Sequence, residues 1–217
     1  MARGTSFGGL HSHRDLGLIQ QSVDVQPAKP KLNFVNIPGA DGSKDLSAQP
    51  SGRVPFEDRT LTWTFALYPG DNWEAKYTEV SNALNGVFCH ITLDSDPEYY
   101  YLGRLAMDKY KKDGLLRQIT VKATCRPFKY KQEETEVQAS LTTAYQTLNL
   151  RNGRKPVVPT ITVSAETTIE WEGDAFTLSA GTHRILNIEL QEGDNPLRAK
   201  VASGTGSIAV NYQEGAL

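Results

Sequence analysis

Apolar and polar residues alternate along much of this chain. Leu61, Trp63, Phe65 and Leu67 take every second place and would share one face of a strand. Ile119, Val121, Ala123 and Cys125 do the same, with Thr120, Lys122 and Thr124 opposite. Val87–Leu93 and Tyr99–Leu105 read as a further strand pair joined through Asp94-Ser95-Asp96-Pro97, a turn by composition. One segment changes period: Trp73, Tyr77, Val80 and Leu84 recur at spacings of four, three and four, the stripe of an amphipathic helix. Asp71 stands where an N-cap belongs, and Glu74 follows three residues later as in a capping box. Gly86, just past Asn85, suits the left-handed residue that ends a helix. The expected helix covers residues 71–85.

Between Asn36 and Glu57 the pattern lapses. Ile37-Pro38-Gly39-Ala40-Asp41-Gly42 and Gln49-Pro50-Ser51-Gly52 are too polar for a core and read as an exposed loop or arm. From Pro156 onward short strands return: Ile161–Ser164, Thr168–Glu172, Phe176–Ser179, Leu186–Leu190, Leu197–Val201 and Ser207–Tyr212. Turn formers separate them at Glu172-Gly173-Asp174, Ala180-Gly181-Thr182, Gly193-Asp194-Asn195-Pro196 and Ser203-Gly204-Thr205-Gly206. That rhythm is the mark of a β-sandwich, filled by Ile161, Ile169, Trp171, Phe176, Leu186, Ile188, Leu190 and Val210. The row Lys131-Gln132-Glu133-Glu134-Thr135-Glu136 has no apolar side chain and reads as an exposed linker. The expectation is a mainly β chain with one helix, in two domains, 1–133 and 134–217.

A length of 217 residues suits one large or two small domains, and 39% hydrophobic with 22% charged residues fits a folded protein rather than a disordered one. Net charge is −2, from 23 basic and 25 acidic side chains, without the basic excess that phosphate contacts favour. Lys109, Lys111 and Lys112 cluster, as do Arg126, Lys129 and Lys131, but Glu133, Glu134 and Glu136 follow at once; these read as solvated faces. No run approaches the roughly 18 apolar residues of a membrane span. Met1 to Gly9 has no apolar stretch after its one positive charge, so a secretory signal is not expected and synthesis in a cytoplasm is. Cys89 and Cys125 both fall in strand-like runs and are expected to be buried, reduced thiols.

Chemistry is sparse. His11-Ser12-His13 on a strand would offer two imidazoles on one face, but nothing nearby nominates a third metal ligand. Asp94-Ser95-Asp96 opens like a calcium loop, yet Tyr99 occupies the place of its glycine and no glutamate closes it. Gly204-Thr205-Gly206 runs into a strand, whereas phosphate loops open onto a helix. No Gly-x-Ser-x-Gly elbow occurs, and adjacent Cys89 and His90 would point to opposite faces of a strand. No carboxylate pair stands in an apolar setting that would raise a pKa. Trp171 could stack on a sugar, but it shares the parity of Ile169 and belongs to the core. No catalytic, ligand-binding or metal residue is nominated, no cofactor is implied, and the chain does not read as an enzyme.

Several segments resemble the distal tail (Dit) protein family of siphophages. They are Ser6-Phe7-Gly8-Gly9-Leu10-His11-Ser12 with Asp15-Leu16-Gly17-Leu18, the loop Ile37 to Gly42 leading to Phe56-Glu57-Asp58-Arg59, and the helix with Trp73 ending Leu84-Asn85-Gly86. Leu93 to Tyr100, Gly103-Arg104, Cys125-Arg126-Pro127-Phe128-Lys129-Tyr130, Gly193 to Leu197 and Gly206 to Tyr212 continue in the family's order, so the match spans the chain. The resemblance implies a tail-tube-like N-terminal β-sandwich or barrel with one helix and a galectin-like C-terminal β-sandwich. It implies a structural hub of the phage baseplate: a hexameric ring joining the tail tube protein to a tail-associated fiber or lysin-like protein. In many phages the rim carries receptor-binding proteins. DNA passes through such a ring without being held, no membrane is involved, and the product is a virion tail-tip component assembled in the bacterial host cytoplasm. Galectins read sugar with His-x-Asn-x-Arg, a spacing His183-Arg184-Ile185-Leu186-Asn187 lacks, so sugar binding is not carried over. A carbohydrate-binding module used in host adsorption is the alternative reading, and glycan hydrolysis a third.

Overall fold

The computed structural model describes residues 4–49, 52–68, 70, 72–113 and 116–217. The chain divides into Met1–Lys129 and Tyr130–Leu217. The first unit contains strands β1 (Thr5–Phe7), β2 (Leu10–His11), β3 (Ile19–Val25), β4 (Phe34–Asn36), β5 (Ser43–Asp45) and β6 (Arg59–Ala66), helix α1 (Trp73–Leu84), and strands β7 (Phe88–Leu93), β8 (Asp96–Asp113) and β9 (Leu116–Cys125). Seven strands follow the antiparallel order β2-β1-β7-β8-β9-β6-β3, while β4 and β5 pair only with each other. The alternation of β6 and β9 is realised as expected: Leu61, Trp63, Phe65, Ile119, Val121, Ala123 and Cys125 are all buried in one core. The β7–β8 hairpin also forms, but β8 continues well past Leu105 to Asp113, carrying Lys109, Lys111 and Lys112 out on an exposed extension.

The sheet is rolled rather than flat. β1 and β6 stand four places apart in the strand order, roughly 19 Å across a flat sheet. Yet the Phe7 and Trp63 rings meet edge to face with centroids 5.1 Å apart. Trp63 Nε1 donates to Thr5 Oγ1 at 3.0 Å, and Thr5 Oγ1 donates to Gln20 Oε1 on β3 at 2.7 Å. β1 therefore closes against the far side of the sheet through buried Phe7, Trp63 and Thr5 and half-buried Gln20. Helix α1 contributes Trp73, Val80 and Leu84 to the core. Its cap is Asn72, whose Oδ1 accepts from Ala75 N–H at 3.3 Å. The capping pattern is thus shifted by one residue from that expected for Asp71, which lies outside the described residues, and Glu74 falls in the first turn without completing a box. Gly86 has φ +81°, the left-handed residue expected there.

Strand β10 (Lys129–Lys131) begins on the last residue of the first unit, and the second unit contains β11 (Thr135–Leu141), β12 (Gln146–Asn152), β13 (Thr160–Val163), β14 (Thr167–Trp171), β15 (Asp174–Leu178), β16 (Gly181–His183), β17 (Gly193–Val201), β18 (Gly206–Tyr212) and β19 (Gly215–Ala216). Two four-stranded sheets, β11-β18-β13-β16 and β12-β17-β14-β15, face one another across a shared core. Trp171 belongs to that core, as its parity indicated. Three expectations fail here. Leu186–Leu190 is a loop, with Ile188 and Leu190 buried but Leu186 76% exposed. Ala180-Gly181-Thr182 supplies the edge strand β16 rather than only a turn. Gly193-Asp194-Asn195-Pro196 opens β17 instead of interrupting the chain. Pro196 is tolerated because β14 accompanies β17 only from Arg198 onward, so β12 alone runs beside it. The acidic stretch after Lys131 is exposed but tied down: Lys131 N–H donates to Glu214 O, and Thr135 Oγ1 donates to the Glu214 carboxylate.

One substitution tests this packing. Thr5→Val keeps the shape of the side chain but leaves Trp63 Nε1 buried without its acceptor. The expected loss is about 1–3 kcal/mol in urea unfolding; an unchanged midpoint would show that the closure does not depend on this bond.

Candidate functional site

The histidines and carboxylates singled out in the sequence serve the fold. His11 ends β2 and His13 lies in the following turn, so the two do not share a strand face. His11 Nδ1 accepts from the backbone N–H groups of His13 and Arg14 at 3.2 and 3.1 Å, leaving Nε2 to face the Asp94 carboxylate at 3.2 Å. Asp94 also accepts from Gly4 N–H at 2.8 Å, so it pins the N-terminal strands to the β7–β8 turn. Asp96 pairs with Lys129 at 2.6 Å, and that ammonium also lies 4.3 Å from the centre of the Tyr99 ring. Among the described residues, no three His, Cys, Asp or Glu side chains converge as a metal site would require. His90 stacks on Tyr100 at the surface, and His183 lies on the edge strand β16.

The two thiols stand in one row of the sheet. Gly103 on β8 is paired with Cys89 on one side and with Cys125 on the other. A Cβ at Gly103 would lie 2.4 Å from Cys125 Sγ, so only glycine fits between them. The cysteine Cα atoms are two strand spacings apart, roughly 9.6 Å, beyond the about 7 Å that a disulfide can bridge. Both thiols are free and buried. Burial pushes the Cys125 thiol up to about 12, the Cys89 thiol adding to the effect and Arg59 opposing it. Burial raises Cys89 as well. Neither is an activated nucleophile.

Exposed apolar side chains gather elsewhere, on an extension of the first unit. Between β3 and β6 the chain leaves the sheet as a long arm. Its two legs run antiparallel: Gln26 N–H donates to Thr60 O, Glu57 to Lys29 O, Lys31 to Pro55 O and Leu46 to Asn33 O. The β4–β5 ribbon near the tip pairs Phe34 with Asp45, Val35 with Lys44 and Asn36 with Ser43. Every residue of both strands is exposed. Leu32, Phe34, Val35 and Ile37 are 42–56% exposed, a run of apolar side chains held away from any core. A two-stranded ribbon is marginal by itself in water, and clustered exposed apolar groups mark contact surfaces. The sequence showed the arm as polar and began it at Asn36; the run of four apolar residues in Leu32–Ile37 was the available signal, and it reads as an ordinary strand until the sheet partners are known.

Local hydrogen bonds hold the ribbon in shape. Ser47 is buried; its Oγ accepts from Asn33 N–H at 2.7 Å, and its own N–H donates to Asp45 Oδ1 at 2.8 Å. The Ser47 hydroxyl and backbone together hold the Asp45 carboxyl below its ordinary 3.8, although the group is fully exposed. In the second unit, a solvated network covers one sheet: Arg198 pairs with Glu170 at 2.7 Å, and Arg198 and Lys200 lie 4.7 and 4.4 Å from the centre of the Tyr145 ring. Hydrogen bonding to the Glu170 carboxylate raises the Tyr145 phenol, with burial a smaller contribution.

The whole chain shares its fold with the Dit protein (gp 19.1) of phage SPP1, described as a paradigm of the hub adsorption apparatus in phages infecting Gram-positive bacteria. The likeness covers 100% of both chains with a TM-score of 0.67 and 18% sequence identity. No protein-family model matches the sequence, and no curated protein matches it. The mainly β fold implied by the resemblance is therefore the fold found.

Two measurements follow from the thiols and from the arm. A thiol reagent at pH 8 should leave the native protein unlabelled and find two free groups after denaturation, because the buried thiols remain protonated; finding none after denaturation would contradict the strand spacing. Asp45 has a depressed folded pKa, so its ionised form supports the ribbon above the ordinary carboxylate range, and that support is lost as the pH falls through the lowered value. Ser47→Ala should return the Asp45 titration, followed by NMR, toward 3.8 and hasten exchange of the Leu46 amide.

Proposed function

We propose that this chain is a distal tail protein: a structural hub at the tail tip of a siphophage virion, without catalytic activity or cofactor. The observation that carries the reading is the likeness to a phage hub protein over the full length of both chains. In this role six copies form a ring beneath the tail tube protein, and the ring receives a tail-associated fiber or lysin-like protein and, at its rim, receptor-binding proteins. Assembly takes place in the cytoplasm of the bacterial host.

Residues 1–133 carry the ring contacts on this reading. The arm between β3 and β6 suits that task, because it carries apolar side chains away from their own core and can cover a neighbour. Ring closure comes from repeating one head-to-tail contact. Residues 134–217, the galectin-like domain of this reading, act as a platform for other tail proteins. The near-neutral charge of the chain suits a ring through which DNA passes without being held.

Negative-stain microscopy of the concentrated protein tests the proposal. The expected images are rings with six-fold symmetry; tetramers or another closed symmetry in the assembled particle would overturn it.

A further inference from the structure

Among the described residues, Arg59 is the one Lys, Arg, Asp or Glu side chain that is buried, at 5% exposure. It opens β6 and shares the inward face of Leu61, Trp63 and Phe65. Its guanidinium lies over the Tyr101 ring at 5.6 Å, and Tyr101 is buried as well. Its Nε has no hydrogen-bond partner, and among the described residues no carboxylate forms an ion pair with it. Asp58, next to it in the chain, is exposed. Cys125 stands opposite Arg59 in the ladder, but burial pushes that thiol up to about 12 against the pull of Arg59, so it is neutral and balances no charge. An arginine does not shed its proton inside a protein, and a buried charge without a partner is strongly destabilising. The Tyr101 ring offsets part of that cost.

We propose that Arg59 is the binding site for a small oxyanion, a carboxylate or a phosphate, supplied from outside the chain. This inference is independent of the ring reading above. The rigid guanidinium fork matches two oxygens of one group. A side-on oxyanion gives one oxygen to an Nη group and the other to Nε, which is the partner that Nε lacks. The narrow exposure of Arg59 and Tyr101 admits a single small group rather than a broad surface.

Thermal unfolding in acetate and in inorganic phosphate, each exchanged against chloride at constant ionic strength, tests the site. The midpoint should rise with the logarithm of the anion concentration. A rise in acetate alone identifies a carboxylate, and a rise in phosphate alone identifies a phosphate. Arg59→Met removes the charge at similar length; it should unfold in chloride no earlier than the parent protein and show no anion dependence. Arg59→Lys keeps the charge without the fork and should weaken anion binding roughly tenfold. A parent midpoint that ignores both anions overturns the proposal, as does an equal rise in Arg59→Met or a lower chloride midpoint in that variant. Should Arg59→Met not fold, the Arg59 Nε–H resonance of the parent protein decides: a shift on adding the anion is expected, and no shift overturns the site.

Discussion

A chain of hydrogen bonds from Trp63 through buried Thr5 to half-buried Gln20 joins strands that the sheet order holds far apart. Antiparallel pairing alone would leave the seven strands as an open, twisted sheet with one apolar face in water. The closure turns that face inward, so Phe7 reaches Trp63 and Phe65, and α1 has only one side left to cover. Polar atoms make the link, the Trp63–Thr5 bond fully buried and the Thr5–Gln20 bond partly so, and a satisfied buried pair specifies one arrangement more strictly than apolar packing does. The N-terminal segment is held in place for this purpose by Ser12, which accepts from Thr5 N–H, and by Asp94, which accepts from Gly4 N–H.

Closure also determines where the arm leaves. β3 and β6 pair from Ile19 opposite Ala66 to Val25 opposite Leu61, and the chain between them departs at the end of that ladder. Its root is fixed by the Gln26 to Thr60 bond and by the edge-to-face contact of Phe56 with Phe128. The arm is thus anchored at a rigid edge, while its far end depends on short-range bonds through Ser47. Such a division suits an element whose final contacts lie outside its own domain.

The parts of this fold that were legible in the sequence are those where one face is strongly apolar. β6 and β9 place large side chains at every second position, and the α1 stripe repeats over three turns, so period alone identified them. β11 was missed because its inward residues, Val137, Ala139 and Leu141, are modest in size and begin within the acidic run from Glu133. The opening of β17 was misread because Gly, Asp, Asn and Pro normally make turns; here Asn195 is buried, and its amide donates to Leu150 O and Gln191 O, replacing a turn by a stitched strand. Leu186–Leu190 has strand composition, but only Ile188 and Leu190 find the core.

The row Cys89–Gly103–Cys125 has a consequence beyond packing. The intervening strand keeps the sulfurs from joining, and burial keeps them from ionising. The fold therefore gains no covalent tie in oxidising surroundings and loses none in reducing ones. A chain built this way is indifferent to the redox potential around it, and can pass from one compartment to another without a change in how it is held together.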